Sequence, residues 1–178
     1  MPAMPRRVAA VPLTPAAFAP FGDVLGTASA PSAPAAPTSQ DRAVNLGTAR
    51  RSDRVAALES SRPAAAPNVA LFRCEPQALP FRATLLERHP HSTQLFASLG
   101  GARWLLLVAP TLADGEPDVE GARAFLASPG QGVNFRRGLW HHPVIALDRP
   151  AELLMLAWED GGPGDCEERP LASPIEIG

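Results

Sequence analysis

Apolar and polar residues alternate over short segments along most of the chain, and residues that favour turns separate these segments. Alternation over about four to eight residues is typical of β-strands with one buried face. The pattern predicts strands at residues 41–46, 69–74, 81–89, 94–99, 103–109, 122–127, 132–135, 144–147 and 152–158. Helix is predicted only at residues 14–19, where Thr14 is a candidate N-cap before Pro15, and at residues 54–60.

Many short strands with little room for crossover helices favour an all-β fold, either an antiparallel β-barrel or a two-sheet sandwich. The length of 178 residues is that of one domain, so residues 1–178 are predicted to form a single domain. Residues 28–37 (ASAPSAPAAP) are rich in proline and alanine. This segment is predicted to be an inserted loop outside the core.

Composition excludes several kinds of chemistry. All 16 basic residues are arginine, so catalysis through a lysine Schiff base and phosphate binding by a P-loop lysine are both excluded. The net charge of −2 gives no indication of nucleic-acid or membrane binding, and no apolar run is long enough to span a bilayer. Cys74 and Cys166 form no disulfide framework, which favours a reduced, cytoplasmic protein.

The four histidines of the chain fall into two clusters. In the first cluster, strand alternation would place Glu87, His89 and His91 on one face, a set suited to metal binding or acid–base work. Pro90 indicates that the strand ends or bulges there, as at the mouth of a barrel.

In the second cluster, His141 and His142 are adjacent, so on an extended chain only one of them can enter a common pocket. Trp140 is predicted to form a wall or lid. A His-x-His pair followed about fifty residues later by Gly-x-x-His resembles the arrangement of the cupin barrel, with Gln94 in the first motif and His141 facing inward. Three imidazoles, those of His89, His91 and His141, would suit a divalent transition metal.

Four longer strings carry a closer resemblance: VNLGTARR, LERHPHSTQLF, GQGVNFRRGLWHHPVIAL and GGPGDCEE. Together they resemble the ureidoglycolate lyase family, from about Pro12 to Glu168. The resemblance implies a cupin-like antiparallel β-barrel, a homodimer, and the cleavage of ureidoglycolate into glyoxylate and urea in allantoin and purine degradation. It also suggests nickel as the metal.

Roles for individual residues follow from the chemistry that this substrate needs. His89 and His141 would act as base and acid or would ligate the metal, and Glu87 would orient a histidine. Gln94 would hold the ureido group, while Asn134 or Arg136 would hold the carboxylate, since a guanidinium can bind both of its oxygens. Two alternatives stay open: a cupin module that binds a small molecule without catalysis, and a metal-dependent cupin oxygenase.

Overall fold

The structure, a computed structural model, describes residues 5–26 and 41–178, so the predicted loop at residues 28–37 lies outside the described residues. Regular structure in the described part is almost entirely β, as predicted, and no helix there is long and apolar enough to cross a membrane. The elements are β1 (Arg6–Val8), β2 (Ala10–Pro12), α1 (Pro15–Phe18), β3 (Gly22–Leu25), β4 (Asp41–Val44), a 3-10 turn (Asn45–Gly47), β5 (Ala49–Ser52), β6 (Ala66–Cys74), β7 (Phe81–Arg88), β8 (Gln94–Ser98), β9 (Trp104–Ala109), β10 (Arg123–Ala127), β11 (Gly132–Phe135), β12 (Trp140–His141), β13 (Ile145–Ala146), β14 (Ala151–Glu159) and β15 (Glu167–Ile177).

Two sheets form the barrel. The larger sheet has the strand order β1-β15-β7-β12-β9-β10-β2, with β13 also paired to β9, and the smaller sheet has the order β3-β11-β8-β14-β6. Most neighbouring strands are antiparallel, as predicted, but β1 pairs with β15 and β2 pairs with β10 in parallel. Because β1 and β2 are separated only by Ala9, they nearly close the larger sheet into a ring. The all-β class, built of mainly antiparallel sheets, is therefore confirmed.

Strand β9 lies between two apolar cores, and this explains why all of its residues are buried. Trp104, Leu106 and Val108 face the smaller sheet and pack in the core between the two sheets, which we call the chamber. Leu105 and Leu107 point the opposite way, into a second core that we call the ring core, which the larger sheet encloses. The inner faces of the strands that line the chamber also carry the candidate site.

Of the two predicted helices, one is confirmed and one is wrong. Helix α1 begins after Thr14, whose Oγ1 accepts a hydrogen bond from the Ala17 N–H at 3.2 Å. Residues 54–60 contain no helix. Backbone N–H groups of this segment donate to side chains of the barrel instead: Asp23 accepts from the Ala57 N–H, and Thr93 accepts from the Glu59 N–H. These contacts outweigh the local helical preference.

The longest strand, β15, was not predicted because Pro170 and Pro174 interrupt its pattern. In the structure the register with β7 shifts between Pro170 and Ile175. An irregular pairing of this kind accommodates proline, which has no N–H to donate to the neighbouring strand. The pairing of β15 with β7 matters for function, since β7 leads directly into the first histidine cluster.

Candidate active site

Glu87, His89 and His141 come together at one end of the chamber. Glu87 is near the end of β7 and is directly paired with His141 of β12, so both side chains lie on the same face of the larger sheet. The His89 and His141 rings are stacked with their centroids 5.6 Å apart. One potential ligand atom from each of the three residues lies within 4.8 Å of the others. We call this set the acceptor triad.

Hydrogen bonds fix which ring nitrogens carry protons. His89 Nδ1 lies 2.8 Å from the Asp165 carbonyl oxygen, and His141 Nδ1 lies 3.0 Å from the Leu139 carbonyl oxygen. A carbonyl only accepts, so both Nδ1 atoms must donate. In the neutral rings both Nε2 atoms therefore present lone pairs, and both are buried without a hydrogen-bond partner. Together with the Glu87 carboxylate they form three acceptors with no donor among them.

A tight turn keeps the two histidine segments together. Gly138 adopts a φ of +75°, a left-handed conformation that favours glycine. Its N–H donates to the His89 carbonyl at 2.9 Å, and the Leu139 N–H donates to the Arg136 carbonyl at 3.1 Å. The turn thus connects the end of β7 to the start of β12.

Burial and charge shift the pKa values in the triad. Burial lowers the pKa of His89, and the neighbouring His141 lowers it further. Burial alone would raise the pKa of Glu87, but the hydrogen bond and charge that a protonated His141 ring would supply, with the charges of His89 and His142, outweigh burial and place that pKa below its ordinary value. Glu87 Oε1 and His141 Nε2 are 3.4 Å apart, and a hydrogen bond between them needs a doubly protonated His141 ring.

We expect the free energy of unfolding to fall as the pH is lowered below about 6.5. Burial lowers the folded-state pKa of both His89 and His142, so the unfolded chain binds more protons than the folded chain below the ordinary histidine pKa. Each histidine then contributes a loss of up to about 1.4 kcal/mol per pH unit, until the pH passes its folded-state pKa. Urea unfolding at pH 7.5 and pH 5.5, in the presence of a chelator, measures this. Equal stability at the two pH values would contradict it.

Gln94 faces the chamber from the opposite sheet. It is paired with Phe135, whose ring stacks on His141 with centroids 4.4 Å apart, so Gln94 lies on the same side as the triad. Only 4% of Gln94 is exposed, and its Oε1 has no hydrogen-bond partner. A buried acceptor without a partner is costly, which is consistent with an acceptor that serves a ligand.

The structure does not bring Asn134 and Arg136 to the triad. Asn134 of β11 and Arg136, the residue just after the strand, share a face as predicted, but that face is opposite to Phe135. Asn134 Nδ2 donates to Asp23 Oδ2 at 3.0 Å and to the Ala57 carbonyl at 2.8 Å. The Arg136 guanidinium donates to the Ala19 and Pro20 carbonyls after helix α1. Their predicted role with the substrate carboxylate therefore has no geometric support.

Three other residues of the histidine motifs also lie away from the triad. Trp140, adjacent to His141 on β12, faces the ring core, is fully buried and donates from Nε1 to the Gly115 carbonyl at 3.1 Å. It is a core residue and lines no wall of the chamber. His91 Nδ1 lies 2.9 Å from Ser61 Oγ, so this ring is not part of the triad. Glu87 takes the place predicted for His91 beside His89 and His141. The His142 ring lies outside the triad and contacts the Phe81 ring.

Three further polar residues, Glu159, Asn68 and Cys166, were not predicted as part of the site. Glu159 is the last residue of β14 and lies on the inward face of that strand. Asn68 of β6 donates from Nδ2 to Glu159 Oε2 at 2.7 Å. Continuing the alternation from Met155 and Ala157 would have found Glu159. Cys166 is the third; burial, aided by nearby carboxylates including Glu87, raises its pKa to about 11, so it stays a thiol at neutral pH.

Comparison with known proteins gives a consistent result. The family model described as ureidoglycolate lyase matches residues 5–178. A ureidoglycolate lyase of Burkholderia mallei (strain NCTC 10229) is 41% identical over 153 residues, which is 86% of this chain and 82% of that protein. One of Pseudomonas aeruginosa (strain LESB58) is 38% identical over 158 residues, covering 88% and 86%. Among solved structures, a dTDP sugar isomerase from Desulfovibrio desulfuricans G20 has a TM-score of 0.43 at 18% identity, covering 58% of this chain and 64% of that chain.

Proposed function

Because the chain belongs to the ureidoglycolate lyase family, we propose that it is an enzyme that cleaves ureidoglycolate into glyoxylate and urea at the acceptor triad of Glu87, His89 and His141. The observation that carries the location is the convergence of the three acceptor atoms within 4.8 Å. As the resemblance implies, the reaction would serve allantoin degradation. Two free cysteines, both partly buried, support a reducing compartment such as the cytoplasm.

The reaction moves one proton from oxygen to nitrogen. The substrate carries a carboxylate, a hydroxyl and a ureido nitrogen on one carbon. When the hydroxyl loses its proton, its electrons form the carbonyl of glyoxylate and the C–N bond breaks. The electron pair of that bond stays on nitrogen, which takes up a proton to complete urea. No oxidant, reductant or water is consumed, so the site needs only to stabilise the developing charge and relay the proton.

The triad fits a divalent transition metal such as nickel. Two imidazole lone pairs and one carboxylate are ligands that such ions bind well, and the carbonyls of Asp165 and Leu139 hold both rings by their Nδ1–H groups. An ion held there would supply Lewis acidity to the hydroxyl and carboxylate oxygens of the substrate. The three residues would orient it, while Gln94 Oε1 accepts a ureido N–H from the opposite wall.

A competing assignment uses the same residues without an ion. In it, His89 Nε2 takes the hydroxyl proton, and its lowered pKa keeps the ring neutral at pH 7. A His141 ring protonated on both nitrogens, with Nε2 3.4 Å from Glu87 Oε1, would deliver its Nε2 proton to the departing nitrogen. The proton taken up by His89 would then pass to His141, which restores both rings. The two assignments differ in whether the protein works after its metal is removed.

The experiment that tests the function is a direct assay of the purified protein with ureidoglycolate. We expect glyoxylate and urea to appear in equal amounts, without ammonia. A protein that releases neither product would contradict the proposal. A protein that consumes oxygen with another substrate would support the oxygenase alternative.

We also propose that the homodimer forms through the outer face of the smaller sheet. Leu95, Leu154 and Leu156 of neighbouring strands are partly buried there, and Val69 and Leu71 of β6 beside them are 59% and 49% exposed. A continuous apolar face of this kind is typical of a protein interface. A two-fold contact would pair this face with itself and cover all five side chains.

Replacing Leu71 by arginine is expected to convert the dimer into a monomer at micromolar concentration. Burying a leucine side chain contributes about 1.5–3 kcal/mol, and a charge in its place would lose that and meet an apolar surface. Light scattering after size exclusion measures the mass. Leu112→Arg is the matched control, since Leu112 is similarly exposed (47%) but lies in the turn after β9. A dimer that persists in Leu71→Arg would place the interface elsewhere.

A further inference from the structure

Glu159 ends the row of β14 side chains that face the chamber, and its partial exposure places it at the mouth of the chamber. Ala151, Leu153, Met155 and Ala157 of β14 are buried on the inward face, and Glu159 is the next residue of that row. The following residues, 160–164, lead to Asp165, whose carbonyl holds His89.

Asn68 holds Glu159 in place. Asn68 is paired with Ala157 across β6 and β14, so its side chain shares the inward face, and its Nδ2 donates to Glu159 Oε2 at 2.7 Å. Both residues are only partly buried, so the mouth is open to solvent at this point. The bond fixes one carboxylate oxygen and leaves acceptor capacity on the other.

Gln94 completes a polar row across the smaller sheet. Ala157 of β14 is paired with Gln94 of β8 on one side and with Asn68 of β6 on the other. The side chains of Gln94, Ala157 and Asn68 therefore lie in one row on the same face of the sheet. Gln94 Oε1 is a buried acceptor without a partner, and Glu159 offers a second acceptor on the same wall. The wall facing the triad therefore presents acceptors to a ligand rich in N–H groups.

We propose that Glu159, positioned by Asn68, is a specificity-determining residue that binds the N–H groups of the ureido end of the substrate together with Gln94. This inference rests on the proposed function and adds the residues that distinguish the ureido group. A ureido group carries three N–H donors, and a carboxylate can accept two of them at once. The triad would then meet the hydroxyl and carboxylate end, and the C–N bond would lie between the two walls.

The test compares two unreactive ligands that each carry half of the recognition elements. N-carbamoylglycine has the ureido group and the carboxylate but lacks the hydroxyl, so it cannot undergo the elimination. Glycolate has the hydroxyl and the carboxylate but no ureido group. Calorimetric titration of the intact protein with each ligand gives the two dissociation constants for the wild type, Glu159→Gln, Asn68→Ala and Glu152→Gln.

Glu159→Gln is expected to weaken the binding of N-carbamoylglycine by about 10- to 100-fold, the usual effect of losing hydrogen bonds to a charged group, and to leave glycolate unchanged. Asn68→Ala should show the same pattern more weakly, and it serves as the second variant if Glu159→Gln does not fold. Glu152→Gln is the matched control, because Glu152 lies on the same strand but faces outward and pairs with Arg73.

Two results would overturn the proposal. Unchanged affinity of Glu159→Gln for N-carbamoylglycine would remove Glu159 from the site, and equal weakening of both ligands would make its effect general. A wild-type protein that binds N-carbamoylglycine through Glu159 but releases no urea from ureidoglycolate would contradict the proposed function and leave this recognition intact. The two failures are therefore distinguishable.

Discussion

Replacing His89 by alanine is expected to lower the turnover of ureidoglycolate by about 10²- to 10⁴-fold, the usual contribution of a positioned acid or base. Both assignments of the triad require the His89 Nε2 lone pair, either as a base or as a ligand. The ring is buried, stacks on His141, and is oriented by the Asp165 carbonyl. In a chain without lysine or tyrosine, few other groups could take over its role.

His91→Ala is the matched control for this experiment, because His91 is two residues away but bonds to Ser61 outside the triad. We expect its turnover to stay within a few-fold of the wild type. Circular dichroism of both variants checks that they fold. If His89→Ala keeps the wild-type rate while folded, or if His91→Ala loses activity as severely, the triad is not the reaction centre.

The convergence of the two histidine clusters could be predicted from sequence because each motif lies at the end of a short strand. Alternation correctly separates His141 from His142, as well as the two faces of β9. Most strands were predicted within a few residues of their observed bounds, since turn residues mark their ends. These are local properties, which the order of residues determines directly.

The exact composition of the triad could not be predicted, because it depends on where alternation stops. Strand β7 ends at Arg88, and residues 90 and 91 form a turn, so His91 no longer shares the face of Glu87. The third position beside His89 and His141 is instead filled by Glu87, through its pairing with β12. Cross-strand pairing of this kind depends on the whole sheet.

Asn134 and Arg136 illustrate a different limit. Their shared face was predicted correctly, but alternation alone does not say which face of a strand meets the chamber. The answer depends on Phe135, which packs on His141, and on the segment around Ala57, which covers the other face. The contact with Ala57 joins parts of the chain that are far apart in sequence, and the contact between Phe135 and His141 depends on the turn at Gly138.

Removing bound metal is expected to abolish turnover and to be reversible. Two buried histidine Nε2 acceptors without a partner lie beside the partly buried Glu87 carboxylate, and a divalent ion would satisfy all three at once. Elemental analysis of the purified protein should find about one divalent ion per chain. Chelation should remove ion and activity in parallel, and adding nickel should restore both.

Glu87→Ala connects this expectation to the triad itself. Loss of the carboxylate leaves two imidazoles, so we expect metal content and turnover to fall together, whereas His91→Ala should retain both. Glu116→Ala is a further control, since that carboxylate pairs with Arg169 away from the chamber. Full activity in a protein shown to be free of metal would reject the metal assignment. Glu87 would then act by stabilising the protonated His141 ring, and His89 would be the base.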